Sequence, residues 1–192
     1  MPRLMIMLAG LACGAMLASS AQAQSTASLS GGPANFFERL FGGLASPTAR
    51  QVVIWRGTQQ PGTIVISTSQ RRLYYVLGQG QAIQYGIGVG RPGFAWAGTK
   101  TVSMKREWPD WSPPAAMLRR RPELPRYMKG GVGNPLGARA LYLGSSMYRI
   151  HGSNEPETIG YAVSSGCIRM TNADVVDLYN RTRVGTRVVV LR

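Results

Sequence analysis

Acidic residues are scarce in this chain. Asp and Glu total 8 against 22 Lys and Arg in 192 residues, a net charge of +14, yet charged residues make up only 16% of the chain. The basicity therefore comes from missing acids and not from a dense basic tail. Histidine and cysteine are scarcer still, with one His and two Cys. A disulfide-rich scaffold is excluded, and a zinc site of three or four His and Cys ligands could barely be assembled. No segment sustains the 3.6-residue apolar period of a long amphipathic helix. No apolar run reaches the ~20 residues that a bilayer-spanning helix needs. What is plentiful is Gly, at 24, with 12 Pro, a composition that favours turns and short strands. The length suits one domain of ordinary size.

Residues 1–23 read as an export signal. Arg3 is their only charge, residues 4–17 are apolar or small, and Ala21-Gln22-Ala23 follows. A positive start, an apolar middle and an A-x-A site make a secretory signal peptide, cut after Ala23. Lipidation at Cys13 is the alternative, but Gly10-Leu11-Ala12-Cys13 is a poor version of that signal. Removal of this segment leaves Cys167 as the single thiol, either a buried inert residue or a reactive one. Residues 24–60 are expected to be a flexible leader, with a helical turn or two at residues 36–41 and a possible strand at residues 51–55.

From Thr63 the pattern is regular. Residues 63–68, 71–77, 81–89, 99–106, 141–143, 147–151 and 187–191 carry the β-branched, aromatic or alternating character of strands. Ser69-Gln70 and Gly78-Gln79-Gly80 suit hairpin turns. A mainly β domain of two packed sheets, spanning residues 61–192, is the fold this predicts. One helix signal is good. Thr171 and Asp174 form a capping-box-like pair, and Val175, Val176, Leu178 and Tyr179 give an apolar face running to about Arg181. Residues 107–136, with Trp108, Trp111, several prolines and Arg119-Arg120-Arg121, are long for a plain connection. They are expected to form a substrate-facing wall.

His151 lies in Arg149-Ile150-His151-Gly152-Ser153-Asn154. Cys167, 16 positions later, lies in Val163-Ser164-Ser165-Gly166-Cys167-Ile168-Arg169-Met170. A thiol is mostly protonated at neutral pH and needs a base in contact with it to act as a nucleophile. His151, Arg169 and the N-terminus of the following helix would all favour the thiolate. The consecutive N–H groups of Ser165, Gly166 and Cys167 would suit an oxyanion hole.

These residues carry a resemblance. His151-Gly152, a variable loop, then Ser164-Ser165-Gly166-Cys167-Ile168-Arg169-Met170 resembles the active-site signature of L,D-transpeptidases with a YkuD-type catalytic domain, in the exported ErfK/YbiS-like form. The likeness extends over Pro61-Gly62-Thr63-Ile64-Val65-Ile66, the Gly86-Ile87-Gly88-Val89-Gly90 segment and Asn134-Pro135-Leu136-Gly137-Ala138-Arg139-Ala140-Leu141. Many members have His where this chain has Ser165, but the family's base is the upstream His, here His151. The resemblance implies a mixed β-sandwich-like fold with a short helix after the nucleophile. It implies that Cys167 forms a thioester with a peptidoglycan stem peptide at diaminopimelate, releases D-Ala, and passes the acyl group to an amine in a 3→3 cross-link. His151 would move the protons, the Gly152 carbonyl would orient its imidazole, and Arg169 would anchor stem carboxylates or sit in a structural ion pair. No metal or organic cofactor is implied.

The motif leaves the acceptor open among a second stem, water, and the Lys of an outer-membrane protein. A non-enzymatic wall-binding module is disfavoured by the intact His151 and Cys167. Nucleic acid is excluded as a partner by export and by the want of a basic helix. A periplasmic location with no required membrane association follows, where a cationic protein meets a polyanionic wall.

Overall fold

The strand-forming runs build one continuous sheet in the computed structural model, which describes residues 46–192. The expected signal peptide, the first part of the expected leader and Cys13 lie outside the described residues. The strands are β1 (Gln51–Ile54), β2 (Ile64–Ser67), β3 (Arg72–Gly78), β4 (Gln81–Gly86), β5 (Val89–Gly90), β6 (Gly98–Glu107), β7 (Arg139–Leu143), β8 (Arg149–His151), β9 (Ala162–Ser164), β10 (Ile168–Arg169) and β11 (Arg187–Leu191). Among the described residues two helices, α1 (Ala115–Arg120) and α2 (Asn172–Arg181), and a 3-10 turn at Pro156–Thr158 accompany the strands. The nine-stranded sheet runs β1-β4-β3-β2-β11-β6-β7-β8-β10, and β5 pairs separately with β9.

The long strand β6 makes two packed layers out of this one sheet. Its first part, Gly98 to Thr101, pairs antiparallel with β11, and its second part, from Val102, pairs with β7. The register slips between Val102 and Met104. A bulge of this kind bends and twists a strand, so β6 leaves one layer and enters the other. The core lies between them. Ile64, Ile66, Leu73 and Tyr85 from one side meet Val102, Leu141, Leu143 and Ile150 from the other, with Val175 and Leu178 of α2 closing the cluster. The sheet is mixed, since β2–β11 and β8–β10 are parallel.

Local chemistry explains most elements. Gln79 and Gly80 both have positive φ, 51° and 69°, the backbone a two-residue hairpin turn demands, with glycine supplying it at low cost. At α2 the Thr171 hydroxyl accepts from the Asp174 N–H at 3.1 Å, as the capping pattern predicts. The other end of α2 is held from β6, where Lys105 Nζ donates to the carbonyls of Tyr179 and Thr182. That cation at a helix C-terminus satisfies carbonyls the helix itself leaves free.

Three expectations need correction. The flexible leader does not run to residue 60: β1 pairs with β4 along Gln51–Ile54, and Arg50 reaches Asp177 at 3.3 Å. The strand expected over residues 81–89 breaks after Gly86, because Gly88 turns away to bond the backbone of Arg169. The loop over residues 107–136 holds a short helix and a Trp111–Met128 bridge that its sequence pattern did not announce.

Leu141 is fully buried between the layers. Leu141→Ala is expected to destabilise the domain by about 2–5 kcal/mol, through lost burial and the cavity left behind. Urea unfolding measures it, and a loss below about 1 kcal/mol would place this side chain outside the core.

Candidate active site

The strand β8 carries His151 at its end, and β10 begins directly after Cys167. The two strands are parallel, with Ile168 opposite Ile150 and Arg169 opposite His151. The 16-residue separation is thus folded into one crossover. Ile150 and Ile168 point into the core at 0% and 1% exposure. Alternation along a strand sends their neighbours to the other face. Arg149, His151, Cys167 and Arg169 accordingly line one cavity of about 600 Å³.

The imidazole is held in one tautomer. Its Nδ1 lies 2.6 Å from the Gly152 carbonyl. A carbonyl only accepts, so Nδ1 carries the proton and Nε2 keeps its lone pair. The turn that presents this carbonyl is pinned from α2. Asn172 Oδ1 accepts from the N–H groups of Ala138 and Ser153, at 2.9 and 3.3 Å. A Cβ at Gly152 would collide with that same oxygen, so the close approach requires glycine. Asn172 was not singled out in the sequence, where it reads as the first residue of a helix.

The loop before Cys167 is also tied down. The Ser164 hydroxyl accepts from the Gly166 N–H at 3.1 Å and donates to the Cys167 carbonyl at 2.6 Å. The Gly166 N–H is therefore committed within the loop, against the expectation that it would face a substrate oxygen. Among the described residues the N–H groups of Ser165 and Cys167 have no partner. The Gly166 carbonyl accepts from the Trp96 indole at 2.8 Å. In a trans peptide the Cys167 N–H then points away from Trp96. Trp96 stacks on Tyr148 with centroids 4.5 Å apart, and the Tyr148 ring lies so close to Gly166 that a Cβ there would stand 2.6 Å from it. Gly166 also has a φ of 109°, open to glycine and strained for other residues. Trp96 and Tyr148 had no sequence signal beyond being aromatic.

The electrostatics differ from the expected ion pair. Burial pushes the Cys167 thiol up, and the hydrogen bond from the Arg149 backbone, the Arg149 and Arg169 charges and an Arg149 side-chain hydrogen bond offset this only in part. Burial pushes His151 down to about 4, and the two arginines add to that, while its bond to Gly152 works the other way. At neutral pH the resting pair is thus thiol and neutral imidazole. The thiol donates to the Met147 carbonyl at 3.7 Å. Arg169 is not a free cation, because its guanidinium donates to Glu155 at 2.9 Å. Of the two roles expected for it, the ion pair is the one the geometry contains. Glu155 was assigned no chemistry in the sequence, yet it lines the cavity.

The loop over residues 107–136 forms a wall of this cavity, as expected, through Trp111, Met117, Arg120 and Pro125. Arg120 rests over the Phe94 ring at 5.4 Å and Arg91 lies over the same ring at 4.3 Å, which ties α1 to the β5–β6 connection.

A family model described as the L,D-transpeptidase catalytic domain matches residues 61–190. The chain belongs to this family. It is 38% identical over 146 residues to the probable L,D-transpeptidase YbiS of Escherichia coli (strain K12), covering 72% of this chain and 47% of that protein. The chain spans about half the length of the curated relatives it matches. A crystal structure from Brucella melitensis, of a protein described as a probable carnitine operon oxidoreductase, is 45% identical with a TM-score of 0.52, covering 79% of this chain and 98% of that one. The catalytic domain of an Enterococcus faecium L,D-transpeptidase, at 20% identity, shares the fold with a TM-score of 0.55 over 70% of this chain and all (100%) of that one. The two-layer mixed β arrangement with a short helix after Cys167 is therefore that of L,D-transpeptidase catalytic domains.

Two outcomes test the site's physical state. Alkylation of Cys167 by iodoacetamide should rise through the alkaline range with a midpoint above the ordinary thiol value of 9.0, because the raised pKa keeps the proton on sulfur at lower pH. A midpoint near neutrality would show a preformed thiolate–imidazolium pair instead. Trp96→Phe keeps a ring against Tyr148 but leaves the Gly166 carbonyl without its donor. A loss of about 1–3 kcal/mol in denaturant unfolding is expected, and an unchanged midpoint would remove the indole from the support of this loop.

Proposed function

We propose that the protein is an exported peptidoglycan L,D-transpeptidase that works through a thioester on Cys167. The observation that carries the reading is the pair itself: a thiol and an imidazole with its Nε2 lone pair free, lining one cavity on adjacent parallel strands. As the sulfur attacks the carbonyl of the stem's diaminopimelate residue, Nε2 of His151 takes the thiol proton. The neutral resting pair suits this timing, because a base with a low pKa receives the proton only as the bond forms. The peptide C–N bond breaks, His151 returns the proton to the departing amine, and D-Ala leaves. An acceptor amine then attacks the thioester, loses its proton to His151, and restores the thiol.

The free N–H of Cys167, and that of Ser165, would receive the charge developing on the carbonyl oxygen. The Gly166 amide drops out of this role because it is bonded to Ser164. Residues of the 107–136 loop form one wall of the cavity beside Cys167. The acceptor in this reading is the amine of a second stem, with water, which the experiment below distinguishes, and the Lys of an outer-membrane protein as the alternatives. Residues 1–23 would act as the signal peptide that delivers the domain to the periplasm, where peptidoglycan lies.

Intact-mass spectrometry with a carbapenem and with a tetrapeptide stem tests the reading. One adduct on Cys167 is expected from each, with D-Ala released from the stem. Cys167→Ala should abolish it and His151→Ala should slow it by roughly 10²–10⁴-fold. An adduct on another residue, or none, would overturn the assignment. Addition of a second stem should convert the thioester to a cross-linked dimer faster than it hydrolyses.

A further inference from the structure

We propose that Arg149 is the receptor for a free substrate carboxylate beside the nucleophile, a role that rests on the thioester reading above and that Arg169 does not fill. Arg149 precedes His151 by two positions on β8, and Ile150 between them is buried in the core. Residues two apart on a strand share a face, so Arg149 and His151 both line the cavity.

The cavity is strongly one-signed. Arg91, Arg120, Arg121, Arg149 and Arg169 line it, and Glu155 is its one carboxylate among the described residues. Glu155 is already committed to Arg169 at 2.9 Å, and Arg121 is paired with Glu123 at 2.7 Å. No carboxylate of the described residues lies within ion-pair distance of Arg149, and its buried Nε has no hydrogen-bond partner at all. The Arg149 side chain lies within hydrogen-bonding reach of the Cys167 sulfur, so its positive charge stands beside the thiol with no carboxylate of the described residues to neutralise it, and a substrate carboxylate would supply the missing counter-charge.

The guanidinium is also held for such a ligand. Its central carbon sits 4.9 Å from the ring centroid of Tyr142, the residue directly opposite Arg149 on β7. With Nε buried, it is the two terminal nitrogens that are left to meet a carboxylate, and the end of a planar fork can do so through two parallel bonds. The charge reaches the reacting atom as well, since Arg149 is among the groups that draw the Cys167 thiol down against burial. A substrate carboxylate on Arg149 would therefore lie beside the carbonyl that the sulfur attacks. The ligand class is a stem peptide with a free carboxylate near that carbonyl, as opposed to one amidated there.

The test compares acylation of Cys167 by a tetrapeptide stem with acylation by three stems, each amidated at one carboxylate. The wild-type protein should react with one of the amidated stems about 10–100-fold more slowly in kcat/KM, chiefly through KM, which is the range a lost charge-assisted pair spans. Arg149→Gln should bring the rates on that stem and the free stem together, by losing rate on the free stem. Arg149→Lys, which keeps the charge and loses the fork, should restore part of the preference. Arg169→Gln should leave the preference in place. Equal slowing of every stem by Arg149→Gln, or no preference in the wild type, would overturn the proposal while leaving the thioester reading standing. Loss of the preference in Arg169→Gln would overturn it in favour of Arg169. If no stem acylates wild-type Cys167, both readings fall together.

Discussion

The two-rung parallel ladder between β8 and β10 is the constraint on which the site depends. Parallel neighbours require a crossover, and here the crossover holds the 3-10 turn, β9 and the Ser164–Cys167 loop. The ladder is anchored through the core, because Ile150 and Ile168 sit opposite each other in it. Burial of that pair draws His151 and Cys167 to one cavity, although neither side chain bonds the other. The backbone continues the theme: the Met170 N–H donates to the His151 carbonyl at 2.9 Å, and the chain turns at once into α2. Helix α2 then reaches back with Asn172 to pin the turn after His151. The geometry of the candidate site and the core packing are thus one set of contacts, read from opposite faces of the same two strands.

Burial also sets the proton balance. A histidine this deep resists charging, and a thiol in the same surroundings resists losing its proton. The two effects act in the same direction, toward a neutral pair at rest. Nearby cations do favour the thiolate, but desolvation outweighs them. A thiol that keeps its proton in this way is protected from casual oxidation and alkylation.

The cationic character of the chain has a local counterpart. Five arginines face the cavity against one glutamate, and that glutamate is used within the protein. Elsewhere the acids are spent on architecture: Asp177 binds Arg181, Arg50 and the hydroxyl of the buried Tyr85, fixing α2 to β4 and to the segment before β1. A chain with 8 acids and 22 bases has few carboxylates to neutralise its own site, and positive charge is left over where an anionic substrate would enter.

Much of this was determined along the chain itself. Alternating β-branched runs mark the long strands, Gln79-Gly80 marks a hairpin, Thr171 and Asp174 mark the start of α2, and the one His and one Cys of the described residues stand in a signature string. Each of these signals is local, so a neighbour a few residues away is enough to produce it. Only tertiary structure decided the rest. Strands β9 and β10 are too short to carry a period and exist because β5 and β8 offer them edges. Trp96 and Asn172 act on backbone groups 70 and 19 residues away, with no spacing rule to betray them. Arg149 and Arg169 look alike in sequence. One is neutralised by Glu155 and the other is left without a carboxylate, because the crossover loop brings that acid to β10 and pairs it with Arg169.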